Sequence, residues 1–184
     1  YMKKIAVGAI GKGIVDINET PTENLRRLAE VKKCRVNDLT ACILDRERHA
    51  DLIAEVREAG ARIKLIGDGD VAGALACCGE RGEVDILMGT GGAPEGVIAA
   101  AALQCMGGDF QGILQPRNEE EIVRAKKMGI DDITKVFSID ELASGDVMFV
   151  ATGVTTGTFL KGVGFTPWGA FTHSIVMRSA SGTI

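Results

Sequence analysis

Histidine is scarce in this chain of 184 residues, with His49 and His173 as its two examples. That scarcity excludes a metal site built mainly of imidazoles and leaves two candidate bases for a Ser-His-Asp triad. Any chemistry must therefore rely on carboxylates, on cationic side chains and on a glycine-rich backbone.

Long apolar runs and an excess of basic residues are also missing. No run approaches the ~18 uninterrupted apolar residues of a membrane helix. The apolar stretch near the start stops at Gly11-Lys12, short of the about 7–15 residues of a secretory signal. With 21 Lys and Arg against 25 Asp and Glu, the net charge is −4, which does not suit a nucleic-acid surface. We therefore expect a cytoplasmic protein without a membrane or nucleic-acid partner.

The five cysteines are odd in number and show no CxxC spacing, so they predict neither a disulfide framework nor a zinc site. We expect buried, reduced thiols. The adjacent Cys77 and Cys78 suggest a redox switch as one alternative, but packing within a helix is the plainer explanation. The cysteines are Cys34, Cys42, Cys77, Cys78 and Cys105.

Glycine is abundant instead, with 24 residues, or about 13% against a usual ~7%. Strand-like and helix-like segments alternate along the chain, which predicts one layered α/β domain over residues 1–184 with a largely parallel sheet. Thr20 and Asn118 are typical helix caps, and the helix after Asn118 is expected to bury Met128. The aromatic tail from Thr155 predicts strands and turns that cover an edge or contact a partner. Predicted strands are 5–10, 39–44, 61–66, 84–88 and 146–154, and predicted helices include 71–78 and 95–106.

The segment Gly89-Thr90-Gly91-Gly92-Ala93-Pro94-Glu95-Gly96 follows a predicted strand and opens a predicted helix. Glycines permit close approach of the backbone, and a helix N-terminus presents free N–H groups to an anion. Glu95 adds a carboxylate at the same place, and two anions share a site at low cost only across a cation such as Mg²⁺. A phosphate and metal site is one interpretation, and an ordinary structural turn is the other.

Two more polar clusters follow predicted strands. Asp68-Gly69-Asp70 can receive sugar hydroxyls or a hydrated Mg²⁺, or can simply cap the next helix. Arg46-Glu47-Arg48-His49 also closes a strand, and its paired arginines suit a phosphate because each guanidinium donates two parallel hydrogen bonds, although a solvated, charged helix start is the plainer explanation. Since the carboxyl ends of neighbouring parallel strands lie side by side, the convergence of all three clusters favours one ligand site.

Four motifs occur in an order that closely resembles the class II (GlpX-type) fructose-1,6-bisphosphatases of bacteria. They are Asp-Gly-Asp-Val-Ala at 68–72, Gly-Gly-Ala-Pro-Glu-Gly at 91–96, Ala-Thr-Gly-Val-Thr at 151–155 and Thr-His-Ser-Ile-Val-Met-Arg-Ser at 172–179. The resemblance covers the whole chain and implies the layered α/β/α architecture of the sugar phosphatases. It further implies a Mg²⁺- or Mn²⁺-dependent enzyme of carbohydrate metabolism that removes the 1-phosphate of fructose 1,6-bisphosphate, in some members also that of sedoheptulose 1,7-bisphosphate.

The resemblance also implies roles for individual residues. Glu95 matches the metal-binding glutamate of the family, and Gly92 in the same motif matches a substrate contact. An acidic turn matches the sugar-contacting turn, a basic segment matches the phosphate-binding one, and the first residue matches a substrate-contacting tyrosine. These substrate-binding matches are Tyr1, Arg46, Glu47, Arg48, Asp68, Gly69 and Asp70.

The chain departs from the family pattern in two ways. Glu47 stands where the family usually has proline, and a negative charge there weakens phosphate binding unless it points away. The family's other metal ligands, in a Gly-Glu-Gly-Glu-like and an Asp-Pro-Ile-Glu-Gly-Thr-like stretch, precede the tyrosine matched by Tyr1 and have no counterpart here. We therefore expect the C-terminal half of an enzyme, weakly active or inactive without its N-terminal half, and homo-oligomeric when complete.

Two other classes of function remain open. A sugar-phosphate- or nucleotide-binding module without catalysis uses the same glycine turn but makes no use of Glu95. An assembly fragment uses the aromatic tail from Phe149 to Phe171 as an interface, although core packing explains those aromatics equally well.

Overall fold

A six-stranded sheet lies at the centre of this computed structural model, which describes residues 1–79, 82–157 and 159–184. The strands are β1 (Met2–Val7), β2 (Thr40–Leu44), β3 (Arg62–Ile66), β4 (Ile86–Gly91), β5 (Asp109–Leu114) and β6 (Val136–Ser138). Their order across the sheet is β3-β2-β4-β1-β5-β6, so the first strand of the chain is a central one.

In the described part of the chain, six α-helices flank the sheet: α1 (Pro21–Lys32), α2 (Ala50–Glu58), α3 (Asp70–Ala76), α4 (Ala93–Met106), α5 (Glu119–Lys127) and α6 (Ile139–Leu142). Two of them begin at the caps that the sequence predicts. Thr20 Oγ1 accepts a hydrogen bond from Glu23 N at 3.1 Å, and Asn118 Oδ1 accepts one from Glu121 N at 3.0 Å. Among the residues described, no helix combines the length and the apolar character that crossing a bilayer requires.

The sheet is mixed, so the prediction of a largely parallel sheet is wrong. β2 runs parallel to β3 and β4, but β1 is antiparallel to β4 and β5, and β6 is antiparallel to β5. The reason is the segment 8–20, which runs back along the sheet before α1 begins. Near one end of β5, Gly13 N donates to Asp109 Oδ2 at 3.0 Å. Further on, Ile17 O accepts from Lys3 Nζ at 2.8 Å, so the chain has returned to the end of the sheet where β1 begins. α1 then leads to the opposite end, and β2 starts there.

Helices cover both faces of the sheet, which confirms the layered α/β/α architecture. On one face, Ile5 of β1 belongs to a buried cluster with Leu28 of α1 and Val56 of α2. On the other face, Ala6 of β1 belongs to a cluster with Leu103 of α4 and residues of α3. Successive side chains of this central strand therefore pack into two different hydrophobic cores, because the side chains of a strand point alternately to its two faces.

The C-terminal region forms two small antiparallel sheets. β7 (Met148–Thr152) pairs with β10 (Ser174–Arg178), and β8 (Gly164–Thr166) pairs with β9 (Gly169–Phe171). Phe149 of β7 and Met177 of β10 are buried against Leu75 of α3 and Ala102 of α4. The tail consists of strands and turns as predicted, but it covers the outer side of α3 and α4 and not an edge of the main sheet. This second layer covers one side of α4 through Ala102 and Cys105, whereas Val97 and Ile98 of the same helix stay 41% and 48% exposed.

The aromatic residues of the tail divide into two groups. Phe149 is buried, whereas the exposed fractions of Phe165, Trp168 and Phe171 are 83%, 90% and 59%. Core packing therefore accounts for Phe149 alone among these four. The exposed aromatics belong to the β8–β9 hairpin and the turn within it.

Some local predictions are wrong. The first strand is Met2–Val7 and not 5–10, because the chain turns into a short 3₁₀ helix at Ala9–Gly11. β5 and β6 were not predicted at all. Met128 is 74% exposed, since it lies at the C-terminal cap of α5, a helix without a fully buried residue.

The packing of the tail predicts a contrast between two large apolar side chains. Met177→Ala should lower the free energy of unfolding by about 2–5 kcal/mol, because it leaves a cavity in a buried cluster. Trp168→Ala should change it by less than about 0.5 kcal/mol, because the side chain is largely exposed. Urea denaturation of the two variants and the parent chain measures both values. Equal losses would contradict this placement of the tail.

Candidate functional site

Three polar clusters meet at one edge of the sheet, as the sequence predicts. β3, β2 and β4 are adjacent and parallel, and Asp68, Arg46 and Gly92 follow their carboxyl ends. The reversed β1 adds its amino end to the same edge, because Met2 pairs with Gly91. β5 ends at the same edge, because Gln115 N donates to Tyr1 O at 2.9 Å. Five segments of the chain therefore meet here.

Arg46 and Asp68 contact each other across this edge. Arg46 Nη2 lies 2.7 Å from Asp68 Oδ1, and the Asp68 side chain is 92% exposed. Such an exposed ion pair contributes little to stability, about 0–1 kcal/mol. The Asp68 carboxylate therefore holds the Arg46 guanidinium only weakly.

Asp70 has a different environment from Asp68, although only Gly69 separates them. Asp70 Oδ2 lies 2.5 Å from Lys4 Nζ, and the exposed fractions of the two side chains are 11% and 2%. Gly69 begins α3 with a φ of +80°, a left-handed conformation that favours glycine, and no side chain caps the helix there. Helix capping by Asp68 therefore does not explain the acidic turn. One carboxylate faces solvent and the other is held in a buried ion pair.

The glycines at 91 and 92 leave room for two carboxylates. A Cβ at Gly91 would lie 2.5 Å from Asp70 Oδ2 and 3.1 Å from Lys4 Nζ. A Cβ at Gly92 would overlap Glu95 Oε2, because the Glu95 side chain folds back over the start of α4. Gly92 is the N-cap of α4, and no side chain caps that helix. Since Pro94 has no N–H, the backbone donors without an intrahelical partner at this helix start are the N–H groups of Ala93 and Glu95.

Arg48 and Tyr1 form the other side of the edge. Arg48 Nε and Nη2 donate to Thr90 O at 3.0 and 2.8 Å. The guanidinium carbons of Arg48 and Arg117 lie 5.3 and 4.9 Å from the centroid of the Tyr1 ring, within the range of a cation–π contact. Glu47 is exposed in the 3₁₀ turn Glu47–His49, and in the described parts of the chain its carboxylate forms no ion pair.

Arg117 is fixed beside Tyr1 by Glu121. Arg117 Nη2 donates to Glu121 Oε1 at 2.6 Å, and this hydrogen bond lowers the pKa of Glu121 to about 2. The carboxylate is therefore ionised throughout the physiological pH range. Next to this pair, a cavity of about 350 Å³ opens between α4 and α5, with Tyr1, Pro94 and Leu114 in its walls.

Three residues of the site lie outside the sequence prediction. Lys4 carries a recognisable signal, because it shares a strand face with the apolar Met2 and Ala6 and is buried at 3% exposure. His49 is also buried at 3%. Arg117 follows β5, which the sequence analysis missed.

The predicted metal site is incomplete within this chain. Glu95 is exposed and contributes one carboxylate. Across residues 1–79, 82–157 and 159–184, no group of three His, Cys, Asp or Glu side chains is arranged to hold a metal ion. Since Mg²⁺ requires octahedral oxygen coordination, the residues present do not form a metal centre by themselves.

The adjacent cysteines lie away from this edge and are not activated. Cys77 and Cys78 are free thiols that follow α3. Burial raises the pKa of Cys78 to about 11 and that of Cys77 well above its ordinary value. Protonated thiols are poor nucleophiles, so packing explains the pair better than a redox role does.

The buried ion pair predicts a specific pattern of stability. Lys4→Met should lower the free energy of unfolding by about 3–5 kcal/mol, because it leaves the Asp70 charge buried without a partner. The double variant Lys4→Met, Asp70→Asn should be more stable than Lys4→Met alone, because it removes the unpaired charge. Thermal denaturation of both variants tests this, and a double variant less stable than the single one would contradict it.

The same substitution at the two neighbouring glycines should lower the free energy of unfolding by different amounts. Gly91→Ala should cost about 1–3 kcal/mol, because the new methyl group meets a buried ion pair that has no room to move. Gly92→Ala should cost less than about 1 kcal/mol, because the exposed end of Glu95 can swing aside. Chemical denaturation curves give both values. Greater destabilisation by Gly92→Ala would show that Glu95 is held more rigidly than its exposure indicates.

Comparison with known proteins identifies the family. The whole chain, residues 1–184, matches the family described as bacterial fructose-1,6-bisphosphatase, glpX-encoded. Relatives named D-fructose 1,6-bisphosphatase class 2/sedoheptulose 1,7-bisphosphatase are 45% identical in Trichodesmium erythraeum and 46% identical in Crocosphaera subtropica, over 100% of this chain and 57% of each relative. A third, from Acaryochloris marina and bearing the same name with the number 2, is 46% identical over 100% of this chain and 56% of its own length.

The chain therefore spans a little over half the length of the curated relatives that it matches. Since the family match extends from the first residue to the last, the resemblance carried by the four sequence motifs is confirmed. The chain belongs to the glpX-encoded bacterial fructose-1,6-bisphosphatase family.

Proposed function

We propose that this chain is the substrate-binding part of a metal-dependent phosphatase that removes the 1-phosphate of fructose 1,6-bisphosphate. The observation that carries the proposal is the meeting of Arg46, Arg48 and the uncapped start of α4 at one sheet edge, beside Glu95. The relatives are named for fructose 1,6-bisphosphate and sedoheptulose 1,7-bisphosphate, which supports a sugar bisphosphate as the substrate class.

Each part of the edge suits one part of such a substrate. The guanidinium groups of Arg46 and Arg48 and the N–H groups after Gly92 would bind phosphate, since planar guanidinium groups and helix N-termini both favour phosphate oxygens. Asp68 and the Gly69 turn would contact sugar hydroxyls, and Tyr1 would form a wall of the sugar subsite. Asp70 would act from its ion pair with Lys4, by fixing the turn.

Glu95 would supply one ligand to Mg²⁺ or Mn²⁺. When bound, such an ion neutralises phosphate charge and assists hydrolysis by water. The remaining ligands would come from the part of the longer protein that this chain does not contain, in agreement with the incomplete ligand set described above. The chain alone would bind the sugar bisphosphate weakly and turn it over slowly or not at all. Cytoplasmic location and assembly into a homo-oligomer stay predictions.

Glu95→Gln tests the proposal in the presence of Mn²⁺ or Mg²⁺. Phosphate release from fructose 1,6-bisphosphate by the longer protein, or by this chain combined with its missing part, should fall by roughly 100-fold or more. Even the outer partners of a metal site cost 10–100-fold when removed. Glu58→Gln serves as the matched control, because it removes an exposed carboxylate on α2, remote from this edge.

A binding module without catalysis is the second candidate, and the same experiment separates the two. A module would retain its affinity for the sugar phosphate in Glu95→Gln and would show no turnover in any combination. Full activity of the 184-residue chain alone would also contradict the proposal, because it would place the metal ligands within residues assigned here to other roles.

A further inference from the structure

We propose that His49 is a positioning residue for the phosphate-binding turn, defined as the end of β4 and the residue after it, Gly89–Gly92, and that it acts by holding the backbone N–H of Thr90. The inference rests on the proposed function for its consequence, since it assumes that this turn binds phosphate. Its structural basis is independent of the function. That basis is the early end of the hydrogen-bonded pairing between β2 and β4.

β2 and β4 pair over a short distance only. The paired positions are Ala41 with Ile86 and Cys42 with Leu87. β4 continues to Gly91, so its last residues extend past this ladder on the side of β2. The backbone groups that face this side need partners from elsewhere, because an unpaired buried N–H or C=O group is costly.

Side chains from the turn after β2 supply those partners. His49 Nε2 accepts a hydrogen bond from Thr90 N at 2.8 Å, and Arg48 donates two hydrogen bonds to Thr90 O. On its other side, His49 Nδ1 lies 2.7 Å from Leu44 O at the end of β2. Since Nε2 accepts, Nδ1 must be the donor, so the neutral imidazole carries its proton on Nδ1. The imidazole therefore links the end of β2 to β4 where the backbone hydrogen bonds between the two strands have stopped.

The imidazole has no freedom to leave this position. It is 3% exposed, and a Cβ at Gly89 would lie only 3.1 Å from Nε2 and 3.2 Å from Cε1. Gly89 has a φ of +143°, a conformation that other residues rarely adopt. The absence of a side chain at Gly89, where the phosphate-binding turn begins, therefore makes room for the imidazole.

The consequence is that the backbone of Thr90 positions both groups of phosphate donors. Arg48 is oriented by Thr90 O, and α4 with its free N–H groups begins two residues after Gly91. A shift of Thr90 would move the guanidinium and the helix N-terminus relative to each other. Misplacement of about 1 Å is enough to weaken cooperative contacts to one ligand severely.

Two substitutions separate the two hydrogen bonds of the ring. His49→Gln places an amide oxygen near the position of Nε2 and so keeps an acceptor for Thr90 N. His49→Asn places an amide N–H near Nδ1 and so keeps a donor for Leu44 O, but leaves Thr90 N without its partner. Both variants remove the ring, but Asn is also one methylene shorter than Gln. His49→Met therefore serves as the control for packing, because it has the length of Gln without the amide oxygen that accepts from Thr90 N.

The experiment titrates inorganic phosphate into the isotopically labelled 184-residue chain and follows the backbone amide signals of Gly91 and Gly92 by NMR. We expect His49→Asn to weaken phosphate binding by about fivefold or more, the equivalent of one net hydrogen bond, and His49→Gln by less than about twofold. Hydrogen exchange of the Thr90 amide should accelerate in His49→Asn and not in His49→Gln, with the Leu87 amide unchanged in both.

The outcomes are distinguishable. Equal affinity in His49→Gln and His49→Met would assign His49 to core packing and overturn the inference. Faster exchange at Thr90 with unchanged affinity would also overturn it, because the turn would then bind phosphate without being held. A parent chain that binds no phosphate would refute the proposed function itself, and the inference would fall with it.

Discussion

The buried ion pair between Lys4 and Asp70 is the constraint on which the site edge depends. It joins residues 66 positions apart in the chain, one on the central strand and one at the start of α3. Neither charge can be left alone in this environment, because removing one partner of a buried pair costs several kcal/mol. The central strand, the acidic turn and Gly91, whose missing side chain makes room for the pair, must therefore keep one arrangement.

Sequence reasoning identified most elements but not the direction of the central strand. Apolar periodicity and caps such as Thr20 and Asn118 are local signals, and the helices that they predict are present. The direction of β1 depends on where segment 8–20 goes, and that is decided by contacts with the distant Asp109 and Gln111. Alternation of strands and helices carries no such information. β5 was missed because Gly112 interrupts its apolar pattern, although its neighbours bury it in the sheet.

The site was predictable where its residues follow a strand, and unpredictable where they act through distant partners. Arg46, Asp68 and Gly92 were found because the carboxyl ends of adjacent parallel strands meet, and here they do. The environments of Asp68 and Asp70 could not be told apart from their spacing, since the difference arises from Lys4. The sequence marks His49 as one of two histidines and as the last residue of the cluster after β2, but gives it no role in binding. Its importance comes from Thr90, 41 positions away, and from a ladder that ends early.

The contrast between strong and weak contacts explains how such an edge can be rigid and still accept a ligand. The frame consists of buried interactions, namely the Lys4–Asp70 pair and the His49 bridge, whose loss leaves charges or backbone groups without partners. Two groups at the edge are held loosely, since Asp68 holds Arg46 through an exposed pair and Glu95 is exposed, whereas Arg48 is oriented by two hydrogen bonds to Thr90 O. Under the proposed function, a phosphate replaces a contact of Arg46 worth about 0–1 kcal/mol and does not disturb the frame. This separation favours binding because the donors are already oriented, so that little ordering cost remains when the ligand arrives.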